Sequence, residues 1–278
     1  MPALHQILSD YQQSHQIIPA FNIDSFEIYQ AVELAVRETG LPAIVQLSPG
    51  EDRFLQAEKI FLLVKKARLE NLPIFLNIDH GQDRSRLLQL ARLGFDMLHF
   101  DGSSLDYSSN LNTTREFILQ AKKCSPSLLV EAEFNRIHPV DNSLSGSSFT
   151  SPDQAVEFIT STGCDLLAVS IGNLHGVSVS VPETLDLNLL SQIYSQTSKT
   201  FLTLHGGSGI SPDQISQSRQ LGIVKININT DLRLEFRRSL ISSLSASTSP
   251  KIYEIFSPVI SDLKKLIIEK IIFLSSIH

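Results

Sequence analysis

The chain has 278 residues, 42% of them hydrophobic, with a net charge of −6 and a pI near 5.7. The acidic balance argues against nucleic-acid and anionic-membrane partners, since the densest basic cluster is only Arg233, Arg237 and Arg238. No run approaches the ~20 apolar residues of a membrane span, the start "MPALHQILSD" has no signal-peptide pattern, and two cysteines make no disulfide framework; a cytoplasmic protein is expected.

In chain order, short β-rich runs appear at 17–23 ("IIPAFNI"), 42–48, 73–79 ("PIFLNID"), 97–101, 127–134, 166–171, 200–206 and 223–227. Amphipathic segments lie between them. "SFEIYQAVELAVRETG" carries apolar residues at helical spacing and stops at Gly40; "SRLLQLARLG" stops likewise at Gly94. "SPDQAVEFITSTG" and "SPDQISQSRQLG" each open with a serine cap and a proline in the first turn. The repeated "SPDQ" is shared capping chemistry and not a sequence repeat. "PVISDLKKLIIEKIIFL" is a further helix beyond the eighth unit, apolar on one side, for a homo-oligomer contact or for capping its own barrel. The irregular stretches are 135–150 and 172–186. Eight strand–helix units predict an α/β fold, a closed (β/α)8 TIM barrel with an extra C-terminal helix, over 1–278 as one domain. An open doubly wound sheet has the same alternation.

In such a barrel, chemistry collects at the C-terminal ends of the strands. Those ends carry Asp79-His80, Asp101, Glu131 and Glu133, His175, His205 and Asn227. His80, His175 and His205 come from three strand ends and suit an open catalytic zinc site, where neutral imidazoles leave a position for substrate. His99 lies inside its strand and is expected to pack between layers. "HGGSG" (205–209) and "NTD" (229–231) follow strands seven and eight, where backbone N–H groups and hydroxyls commonly hold phosphate.

With these residues in place, the sequence resembles the class II, metal-dependent fructose- and tagatose-bisphosphate aldolases. "IPAFNI", "NIDHG", "HFDGS", "VEAE", "SIGNLHG", "LHGGSGI" and "KININTDLR" stand in that family's order and spacing over nearly the whole chain. The resemblance implies Zn2+ held by His80, His175 and His205, with Asp79 as acid/base and Asn227 contacting the enediolate. It implies phosphate binding by Gly176, Gly206, Ser208, Asn229 and Thr230, with Ser48 as a substrate-side hydroxyl. Asp101 and Glu133 fall on carboxylate positions that orient ligands or offer an alternative metal position. The implied substrates are a phosphorylated ketose and dihydroxyacetone phosphate, and the implied assembly is a homo-oligomer.

Two stretches depart from the family pattern. After "VEAE", His138-Pro139 replaces a glycine pair, and Asp141 falls on the loop glutamate that moves the enediolate-carbon proton, one methylene shorter. After "LHG", "VSVSVP" lacks the usual tyrosine and lysine and offers only Ser178 and Ser180. The alternatives are a weakened barrel that binds zinc and a sugar phosphate without turnover, an aldolase for a different ketose phosphate, and another metal-dependent barrel lyase or epimerase.

Overall fold

A computed structural model describes residues 2–135, 137, 149–174, 183–197 and 200–276. Arg136, 138–148 and 175–182 lie outside them, so the expectations for Asp141, His175, Gly176 and the His138-Pro139 step fall outside the described residues.

Eight parallel strands close into a barrel in sequence order, with the eighth pairing back onto the first. They are β1 (Ile18–Asn22), β2 (Ala43–Leu47), β3 (Ile74–Gly81), β4 (Met97–Asp101), β5 (Leu129–Glu133), β6 (Leu166–Ala168), β7 (Phe201–Leu204) and β8 (Ile223–Ile228). All sit within the predicted runs or extend them slightly. The open-sheet alternative is excluded because β8 pairs with β1 through Ile18↔Lys225 to Phe21↔Ile228. Both faces of every strand are covered, which is why the runs read as almost continuously apolar.

The barrel interior changes character along its axis. At the bottom, one apolar cluster takes a side chain from each strand, among them Ile44, Phe75, Met97, Leu129 and Phe201. A helix the sequence reading did not pick out, α1 (Leu4–Gln13), inserts Leu4, Ile7, Leu8 and Tyr11 into that cluster and plugs this end. Higher up, the inward positions turn polar: Asn22, Gln46, Asn77, His99, Glu131, Thr203 and Lys225 are all buried. A closed end below and polar groups above leave the strands' C-terminal ends as the place for a ligand.

The outer helices follow their local signals. Gly40 and Gly94 take the left-handed conformation and end α2 (Phe26–Thr39) and α5 (Arg84–Leu93). The two "SPDQ" serines differ: Ser211 accepts from Gln214 N before α9 (Pro212–Gln220), while Ser151 makes no side-chain cap bond before α7 (Pro152–Thr162). The last helix, α11 (Ile252–Ser275), starts six residues before its predicted beginning and carries Pro258 inside it. Its stripe of Val259, Leu263, Ile267, Ile271 and Leu274 is buried, and the helix packs on α2 and on α10 (Thr230–Ala246). Leu274 O accepts from Ile17 N at 2.9 Å, tying the helix to the start of β1. The apolar face therefore caps its own barrel and is not spare for an oligomer contact.

Candidate functional site

The site begins with an irregularity in β3. His80 has φ +53°, and the pairing of β3 with β4 shifts between Ile78 and Gly81. In an extended strand, neighbours point to opposite faces, so Asp79 and His80 would separate. The bulge turns both into one cavity, with Asp79 Oδ1 3.9 Å from His80 Nε2. A left-handed histidine carries strain that its surroundings must hold. Here the His80 N–H donates to His99 Nδ1 at 3.0 Å, which clasps the bulge.

His99 accordingly does not pack as an apolar filler. It is buried in the polar interior, its ring 4.7 Å from that of His80 and 5.1 Å from that of His205. Because Nδ1 accepts the His80 N–H, it carries the lone pair there, and Nε2 lies 3.5 Å from Glu133 Oε2.

His80 and His205 are oriented from behind by carboxylates. Asp101 Oδ2 stands 2.9 Å from His80 Nδ1, and Glu131 Oε1 stands 2.7 Å from His205 Nε2. The inner nitrogens, His80 Nε2 and His205 Nδ1, face each other at 3.1 Å. Two nitrogens bound to one tetrahedral zinc at about 2.0–2.1 Å would stand roughly 3.3 Å apart. Carboxylates behind ligating histidines fix the ring tautomer in the same manner. Glu133 adds a buried oxygen with no hydrogen-bond partner among the described residues, 3.7 Å from His80 Nδ1. Asp79, His80, His99 and His205 each offer an atom within 4.8 Å of the others; so do His80, Asp101 and Glu133. The donor set fits a divalent ion that accepts nitrogen and oxygen.

The charges reflect this crowding. Burial would raise Asp79, but the surrounding histidines, His80 first, outweigh it and hold the carboxyl well below its usual range. Burial would lower His80, but Asp79 and the Asp101 bond move it up instead. His205 is pushed down to about 4, by burial first, with the Glu131 bond opposing. Glu133 is pushed up to about 8 by burial, against the pull of His80.

Asp79 is held at both oxygens: Asn227 Nδ2 donates to Oδ1 at 2.9 Å and Asn22 Nδ2 to Oδ2 at 3.1 Å. Behind Asn227 stands a buried lysine. Lys225 Nζ donates to Asn227 Oδ1 at 2.6 Å and pairs with Glu131 Oε2 at 2.9 Å. Burial alone would raise Glu131; the Lys225 charge and the His205 bond outweigh it and keep the carboxylate ionised. Lys225 thus links the support of His205 to the residue that orients Asp79. Sequence reading missed Lys225, Asn22 and the role of Glu131, although all three lie in the quoted motifs.

A cavity of about 400 Å³ opens over these groups, lined by Asn22, Ser48, Asp79, His80, His205, Gly206, Ser208, Asn227, Asn229, Thr230 and Arg233. The structure brings together every described residue predicted for acid/base, metal or phosphate work, with Asp101 and Glu133 just behind. Ser48 also caps α3 (Pro49–Leu55) in a reciprocal box with Glu51. Gly206 has φ +76°, and a Cβ there would lie 1.9 Å from Leu174 O, so glycine is required by the backbone. Ser208 Oγ accepts from Asp231 N at 3.2 Å, and Asn229 makes no side-chain cap bond to α10. That helix start therefore has no cap from its own N-cap side chain.

Fold and site define a (β/α)8 barrel whose strand ends gather histidines, carboxylates and the start of α10 around one cavity. The chain belongs to the class-II fructose-bisphosphate aldolase family, whose model matches residues 3–278. It is similar to the YdjI aldolase of Escherichia coli K12, at 27% identity and a TM-score of 0.86, with 100% of this chain and 99% of that one covered. Fructose-bisphosphate aldolase of Campylobacter jejuni shares the fold at 20% identity and a TM-score of 0.82, with coverages of 99% and 94%. Among the described residues, no helix is long and apolar enough to cross a membrane.

Proposed function

We propose that the protein is a zinc-dependent aldolase that reversibly cleaves a ketose phosphate to dihydroxyacetone phosphate and an aldehyde. The observation that carries the reading is the pair of inner nitrogens 3.1 Å apart, each ring backed by a carboxylate, with Asp79 beside them. His80 and His205 would hold the ion, with His175 as third ligand. A bound zinc supplies a Lewis acid for the ketone oxygen.

The chain's own residues do the rest. Gly206, Ser208, Asn229 and Thr230, with Gly176, hold the phosphate of the ketose. Asp79, ionised and fixed by Asn22 and Asn227, takes the proton of the hydroxyl at the breaking bond. The carbon–carbon electron pair stays on the carbon beside the ketone as the aldehyde leaves. Asp141 returns a proton to that carbon, giving dihydroxyacetone phosphate. Self-association belongs to the proposal: Leu234, Ile241 and Leu244 form an exposed apolar stripe along α10.

The test is Asp79→Asn, nearly isosteric but unable to accept the proton. Zinc content should stay at the wild-type level while turnover falls about a hundredfold or more, the range for a positioned acid/base group. Unchanged turnover would remove Asp79 from the chemistry, and loss of zinc would make it a ligand.

A further inference from the structure

A second cavity of about 350 Å³ adjoins the first, sharing Ser48 and Arg233 with it and adding Asp24, Gly50, Glu51 and Phe54. It is the place next to the metal and phosphate groups where the remote end of a bound ketose would extend. Its one cation among the described lining residues is Arg233, and that guanidinium is already engaged on two nitrogens. Nε donates to Asp24 Oδ2 at 2.9 Å and Nη2 to Glu51 Oε1 at 2.7 Å. Glu51 cannot swing away: its other oxygen accepts from Ser48 N at 2.6 Å and from Asn22 Nδ2 at 3.1 Å, and the residue is buried. Two carboxylates against one guanidinium leave the lining net negative.

A phosphate near neutral pH carries between one and two negative charges and offers acceptors. Carboxylates repel the charge and can give it no hydrogen bond. A hydroxyl, by contrast, donates to a carboxylate and accepts from a guanidinium or a serine. Phe54, 76% exposed at the rim, adds an apolar ring for the C–H face of a polyol. We propose that this second cavity takes an uncharged, hydroxyl-bearing chain end, so that the substrate is a ketose 1-phosphate and not a 1,6-bisphosphate.

The inference rests on the proposed aldolase reading for the direction of the substrate, so its test uses binding and not turnover. Zinc-loaded protein is titrated by calorimetry with a hexitol 1-phosphate and with the matching hexitol 1,6-bisphosphate, neither of which can be cleaved. The monophosphate should bind at least about tenfold tighter. Raising the salt from 0.05 to 0.5 M should narrow that ratio, since screening weakens a repulsion. Asp24→Asn should move the ratio toward the bisphosphate by threefold or more, whatever it does to either affinity. Equal or tighter binding of the bisphosphate would overturn the proposal, as would a ratio indifferent to both salt and Asp24→Asn. If neither hexitol binds, the subsite assignment falls. If the monophosphate is preferred and yet no ketose phosphate is cleaved, the aldolase reading fails while the subsite stands.

Discussion

Lys225→Met is the substitution that most directly probes the interior of this barrel. It keeps all but one atom of the side chain's length, removes the charge, and leaves the Glu131 carboxylate without its lysine partner. Both residues are wholly buried and their charged atoms stand 2.9 Å apart. Removing one member of a buried pair costs about 3–5 kcal/mol, because the other charge is left uncompensated. The bond from Nζ to Asn227 Oδ1 at 2.6 Å is lost as well. In urea unfolding of the metal-free protein, Lys225→Met should therefore lower stability by roughly 3–5 kcal/mol. Glu131→Gln in the same chain removes the stranded charge while leaving an oxygen for His205 Nε2. The double variant should recover roughly 2 kcal/mol relative to the sum of the single changes.

The pH dependence follows with a definite sign. In the wild type, Glu131 is held below the carboxylate range, so its stabilisation is present above the unfolded value of 4.5 and is lost as pH falls. Without Lys225, burial dominates and the order reverses. The penalty of Lys225→Met should thus be larger at pH 8 than at pH 5. A cost below about 1 kcal/mol, or strict additivity in the double variant, would refute the claim that the pair organises the site.

Two further perturbations test the frame around the cavity. Gly206→Ala must place a Cβ 1.9 Å from Leu174 O at φ +76°, whereas Gly163→Ala at φ +71° meets nothing within 4 Å; the first should cost at least about 2 kcal/mol more than the second in the same unfolding assay, since only it adds a backbone clash to the shared strain. Glu183 is pushed up to about 7 by burial, partly offset by its bond from Leu174 N at 3.0 Å. Its folded value exceeds its unfolded one, so the protein should lose stability as pH rises from 4.5 to about 7. Glu183→Gln should remove that part of the slope.

The strands were legible because a parallel barrel buries both faces of each, leaving compact β-branched runs between capped helices. The strand ends were legible because polar residues break those runs at one end. The geometry of Asp79 and His80 was not: alternation sends them to opposite faces, and no local signal marks a histidine that takes φ +53°. The interior polar layer left a trace that periodicity could have found. His99 and Asp101 in β4, and Glu131 and Glu133 in β5, recur at spacing two inside otherwise apolar runs. Which face is inward is fixed only once the barrel closes, so nothing local marked Lys225 as an interior residue. The stripe on α11 was equally visible, but whether it meets its own barrel or a second copy depends on where the preceding helix carries the chain.

In the proposed function, His80 and His205 hold a metal that this chain needs for aldol cleavage. The direct measurement is formation of dihydroxyacetone phosphate from a ketose 1-phosphate by zinc-loaded protein, with metal content recorded on the same samples, before and after chelation and for His205→Ala. Activity should vanish with a chelator and return with zinc, at about one ion per chain, and His205→Ala should lose most of the metal together with the activity. Cleavage that persists in the metal-free protein, or full zinc occupancy in His205→Ala, would contradict it.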